Sequence, residues 1–76
     1  MKGGRKMLRW KFDVYRALIA KGYTTYKIRE QNLLAQGTMT KLKNGQGVGW
    51  ENIDTLCRLL ECQPSDLIEH VDIDRN

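Results

Sequence analysis

The thiol and imidazole side chains of this 76-residue chain are Cys57, Cys62 and His70. They lack the close paired spacing and the fourth ligand of a structural zinc site, so no metal or other cofactor is expected. Both cysteines lie among apolar residues and read as reduced thiols of a core. The Gly45-Gln46-Gly47-Val48-Gly49 loop has the composition of a phosphate-binding turn. It follows a helical pattern rather than a strand, which removes that mechanism. No nucleophile, base and orienting residue form a set, so the chain does not read as an enzyme. What remains is the run Gln36-Gly37-Thr38-Met39-Thr40-Lys41-Leu42-Lys43. As a helix it turns Met39 and Leu42 to one side and Gln36, Gly37, Thr40, Lys41 and Lys43 to the other. A helix with short polar and basic groups outward suits the DNA major groove, which is about 12 Å wide.

The charge distribution agrees with a polyanionic partner. Residues 1–45 hold eleven basic side chains against Asp13 and Glu30, a net charge of +9. Residues 46–76 hold two basic side chains against seven acidic ones, a net charge of −5. Such polarity gives the molecule one end fit for a nucleic-acid backbone. The charged fraction of 29% and the apolar fraction of 41% describe a globular chain rather than a disordered one. A membrane span needs about 18 consecutive apolar residues, and no stretch approaches that. Arg9, Lys11 and Asp13 interrupt any signal-peptide core, so a cytoplasmic protein is expected.

The elements that position this run read as helices throughout. A first helix is expected over 7–21. Trp10, Val14, Ala17 and Leu18 form one face, and Leu8, Phe12, Tyr15 and Ile19 the other. Gly22 ends it. Thr24 and Thr25 can cap a second helix over 25–31, with Ile28 inward and Leu33 and Leu34 as an apolar plug after it. Asn44-Gly45 stops the third helix at 43. In the fourth helix Ile53, Leu56, Cys57 and Leu60 recur at helical spacing. A fifth opens at Gln63-Pro64 and brings Leu67, Ile68 and Val71 to the core. The expected fold is therefore all-α, a compact five-helix bundle. Residues 1–6 form a flexible basic arm, 7–71 the domain and 72–76 a frayed tail.

The stretches KGYTTYKIREQNLLAQGTMTKLKNG and WENIDTLCRLLECQPSDLIE closely resemble the Cro/C1-type helix-turn-helix family of phage-repressor-like proteins. The likeness covers about residues 8–70. It rests on the combined pattern of Leu42-x-Asn44-Gly45 closing the third helix and Leu56-x-x-Leu59-Leu60 before a proline-capped last helix. The resemblance implies binding to double-stranded operator DNA and regulation of transcription, here as a repressor. It implies base contacts from Gln36, Gly37, Thr38, Thr40 and Lys41. Gln36 would pair with adenine and Lys41 with guanine. It implies phosphate contacts from Thr24, Thr25, Tyr26, Lys43, Asn44 and Trp50.

The chain departs from the family pattern at Arg29, where a small residue is usual, and at Leu33, where the turn usually has glycine. Lys43 and Leu18 stand where an ion pair is common. Two copies on a palindromic site are expected, with Phe12, Tyr15 and Ile19 or the last helix as dimer surfaces. No membrane partner and no small-molecule ligand is expected. The alternative class is a protein-interaction module on the same fold, an antitoxin-like or anti-repressor partner acting through its acidic C-terminal half.

Overall fold

The structure is a computed structural model that describes residues 6–72. Along the chain run β1 (Lys6–Trp10), α1 (Val14–Ala20), α2 (Thr25–Glu30), α3 (Gln36–Lys43), α4 (Trp50–Leu60), α5 (Pro64–Leu67) and β2 (Ile68–Asp72). The five helices are present, but the all-α expectation is corrected by β1 and β2. These pair antiparallel, with Lys6 opposite Asp72, Leu8 opposite His70 and Trp10 opposite Ile68. Lys6 and Asp72, assigned from sequence to the arm and the tail, thus form the end pair of the ladder. The rest of that arm and tail, 1–5 and 73–76, lies outside the described residues.

The physical reason for the correction is that residues 8–13 carry two periodicities at once. Leu8, Trp10 and Phe12 alternate with Arg9, Lys11 and Asp13, which suits a strand, while Leu8, Phe12, Tyr15 and Ile19 suit a helix. The N-cap settles where the helix begins. The Asp13 carboxylate accepts a hydrogen bond from the Arg16 N–H at 3.1 Å, and α1 starts at Val14. At the other end α5 is a single turn of four residues, opened by Pro64 and held by Gln63 N–H donating to Asp66 Oδ2 at 2.9 Å. Ile68 is already extended (φ −128°, ψ 156°), so Ile68 and Val71 belong to a strand rather than to a last helix. The Arg9 side chain donates to the Glu69 carboxylate opposite it at 2.9 Å.

The core comprises Val14 and Leu18 from α1, Ile28 from α2, Leu34 from the turn after it, Met39 and Leu42 from α3, Ile53 and Leu56 from α4, and Leu67 from α5. Among the described residues no polar or charged residue is buried with it. Removing one such apolar side chain from water contributes roughly 1.5–3 kcal/mol, and α1, packed against both α3 and α4, ties α3 to the rest. No helix of the described residues is long and apolar enough to cross a membrane.

Candidate nucleic-acid interface

The second helix of the chain forms because Thr24 caps it: its hydroxyl accepts the Lys27 N–H at 3.2 Å. Ile28, 1% exposed, fixes the inward face of α2. The turn that follows is tight. Asn32 takes the left-handed conformation (φ 54°), and Leu33 N–H returns to Ile28 O at 2.9 Å. Asparagine is among the few residues that adopt this region readily. The position needing glycine-like freedom is therefore Asn32, not Leu33, and Leu33 instead packs half-buried against the core.

Ala35 begins α3 without a side-chain cap, so the first amides of the helix have no capping side chain as acceptor. Met39 and Leu42 are buried and hold the helix down. Gln36, Gly37, Thr40, Lys41 and Lys43 are exposed, whereas Thr38 is half-buried at the edge of that face. The Thr40 hydroxyl donates to Gln36 O at 3.2 Å, which leaves its lone pairs available as acceptors. Asn44 closes the helix, exposed, and Gly45 (φ 75°) turns the chain away. The loop beyond is tethered from a distance: Trp10 Nε1–H donates to Gln46 O at 2.9 Å. The strand that sequence reasoning missed thus steadies the exit of the exposed helix.

Thr24 and Tyr26 are exposed, the latter at 71%, and the Thr25 hydroxyl lies 3.3 Å from that of Tyr15. Trp50 is 85% exposed at the start of α4. Arg29, noted above only as a departure, lines a cleft of about 230 Å³ together with Thr25, Gln36, Thr40 and Lys43. Its large charged side chain signals this role only once the packing of α2 on α3 is known. Phe12 and Ile19 are exposed, at 42% and 40%, whereas Tyr15, between them in sequence, packs partly buried against the core.

Electrostatics set this face apart. The ion pairs of the described residues are Arg9–Glu69 (2.9 Å), Arg16–Asp13 (3.7 Å), Lys21–Glu61 (3.6 Å) and Arg58–Asp54 (3.4 Å). All lie outside α2 and α3. Lys27, Arg29, Lys41 and Lys43 therefore project their charge into solvent, with Lys27 also 5.5 Å from the centroid of the Tyr23 ring. Uncompensated positive charge beside an exposed helix attracts a polyanion and raises its encounter rate. Elsewhere, Cys57 and Cys62 are free and half-buried at the end of α4. Burial, then the neighbouring Cys57 sulfur, pushes the Cys62 thiol above its ordinary value.

Two short helices joined by a tight turn, the second presenting a polar and basic face, define a helix-turn-helix DNA-binding domain. Comparison with protein families agrees: residues 15–72 match the Cro/C1-type HTH DNA-binding domain. The chain belongs to that family, one of DNA-binding transcription regulators rather than enzymes. Comparison with curated proteins and with solved structures returned no significant match.

Proposed function

We propose that this protein is a sequence-specific transcriptional repressor of the cytoplasm that lays α3 in the major groove of its operator. The observation that carries the reading is the division of α3: Met39 and Leu42 are buried, while Gln36, Thr40 and Lys41 face solvent beside cations that take no part in the ion pairs of the described residues. Gln36 can pair bidentately with adenine, and Lys41 can donate to guanine O6 or N7. Gly37 lets the backbone approach closely, Thr40 offers a hydroxyl and a methyl, and Thr38 contributes from the margin.

Thr24, Thr25 and Tyr26 from α2, with Lys43, Asn44 and Trp50 after the reading face, hold the phosphates and fix the register. Arg29 joins them from the cleft it shares with Gln36 and Thr40. One module buries little surface, so two copies occupy a palindromic site.

Selection of bound duplexes from a random pool tests the proposal. Enrichment of an inverted repeat is expected, and Gln36→Ala should relax the preference at one base pair per half-site. That loss corresponds to roughly 1–3 kcal/mol of discrimination. A pool that stays random, with retention of a protein partner unaffected by Gln36→Ala, would place the activity on a protein interface instead.

A further inference from the structure

Among the described residues no further strand covers either edge of the two-stranded sheet, and its hydrogen-bond phase identifies which groups those edges present. Lys11 N–H donates to Leu67 O at 2.8 Å, one step beyond the β1–β2 register. Bonded and non-bonded pairs alternate along an antiparallel ladder. Met7 and Arg9 therefore direct their backbone groups to β2, while the N–H and C=O of Lys6, Leu8 and Trp10 point to the open edge. Ile68, opposite Trp10, fits this phase, because its N–H donates to Pro64 O instead. The side chains of Leu8 and Trp10 share a face with Ile68. That face opens onto an apolar cleft of about 250 Å³ lined also by Val48, Trp50 and Ile53. Leu8 is 61% exposed there and Trp50 85%. An open edge with an apolar centre is a template for pairing with another strand.

We propose that a second copy of this chain pairs its β1 antiparallel to β1 across a two-fold axis at Leu8, giving a four-stranded sheet. In that register Leu8 meets Leu8 of the second copy, Lys6 meets Trp10 and Met7 meets Arg9. The pairs that must exchange hydrogen bonds are those of Lys6, Leu8 and Trp10, the same residues whose backbone groups are open. No two cations face each other directly, and Arg9 is already matched by Glu69 at 2.9 Å. Pairing through β2 about His70 would set imidazole against imidazole and Ile68 against Asp72. Pairing β1 with a second copy's β2 is head-to-tail, which gives a ring or an open filament rather than a two-fold dimer. The inference extends the two-copy reading above by naming its surface, and the association itself needs no DNA. A contact of one five-residue strand is small, so a dissociation constant of roughly 10 µM to 1 mM is expected.

Sedimentation equilibrium of the whole chain without DNA, over roughly that concentration range, tests it with three variants. Leu8→Pro removes the central outward N–H and spares the β1–β2 ladder, as proline at an edge position can. Leu8→Lys keeps the N–H and places two ammonium groups across the axis. His70→Pro makes the equivalent change on the β2 edge. Wild type and His70→Pro should self-associate, while both Leu8 variants should raise the dissociation constant at least about tenfold. The Leu8→Lys defect should ease as salt increases. Should Leu8→Pro lose its native circular dichroism, Leu8→Lys decides alone. A wild type that stays monomeric over the whole range, or a dimer that keeps its strength in Leu8→Lys, overturns the proposal. DNA binding measured separately on the same samples reports on the operator reading, whose failure would leave the dimer result standing.

Discussion

Leu18→Ala should cost this domain a large share of its stability, and Ile19→Ala, one residue on, should cost little. Leu18 is fully buried on α1, and α1 packs against both α3 and α4. Truncating such a leucine removes its transfer free energy and leaves a cavity, together about 3 kcal/mol. At about 0.05–0.15 kcal/mol per residue, a chain of this length is stable by roughly 4–11 kcal/mol in total. The thermal midpoint should therefore fall by about 12–24 °C. Ile19 is 40% exposed, and its truncation should cost below about 1 kcal/mol. Urea and thermal unfolding followed by circular dichroism give both values. Because α1 supports α3, DNA binding by Leu18→Ala should persist below the variant's own midpoint and vanish above it. Equal costs for the two substitutions would refute the placement of α1, and with it the support assigned to the recognition helix.

Further expectations concern the backbone, a cap and a thiol. Gly45→Ala should destabilise by about 1–2 kcal/mol in urea titrations, because Gly45 sits at φ +75°. Gly37→Ala should stabilise by up to about 1 kcal/mol, since nothing lies within 4 Å of the added methyl. Thr24→Ala removes the acceptor of the Lys27 N–H and should cost about 1 kcal/mol by the same titration. The Cys62 thiol is raised above its ordinary value of 9.0 by burial and then by Cys57, so the folded state keeps a proton that the unfolded state has lost. Its contribution to stability is complete below the ordinary value and is lost as pH rises through the folded one. Urea midpoints measured across that alkaline range should decline, and Cys62→Ala should flatten the decline.

The centre of the molecule was legible in the sequence because its signals are local. Met39 and Leu42 lie one turn apart between Thr24 at one cap and Asn44-Gly45 at another stop, and α3 has the boundaries this pattern gives. Ile53 and Leu56 likewise mark α4, and both are buried. The ends were not legible, because β1 and β2 exist through each other, across some sixty residues of chain. Leu8 and Phe12 happen to continue the spacing of α1, and only the cap at Asp13 separates strand from helix. The tether from Trp10 to Gln46 is equally non-local. Arg29 was read from the family pattern as a departure, but the fold brings it to the cleft beside Gln36. Asn32 does carry a local signal: asparagine before two leucines supplies the left-handed residue of the turn.

The central claim, that the exposed face of α3 meets DNA, is tested most directly by fluorescence anisotropy of a labelled mixed-sequence duplex. Wild type and Lys41→Ala are titrated at several salt concentrations. Non-specific binding in the micromolar range that weakens steeply with salt is expected of the wild type. On mixed sequence Lys41 has no fixed guanine to read and its ammonium settles on phosphate, so Lys41→Ala should lower the salt slope by about one. No binding by the folded wild type even at low salt would contradict the account.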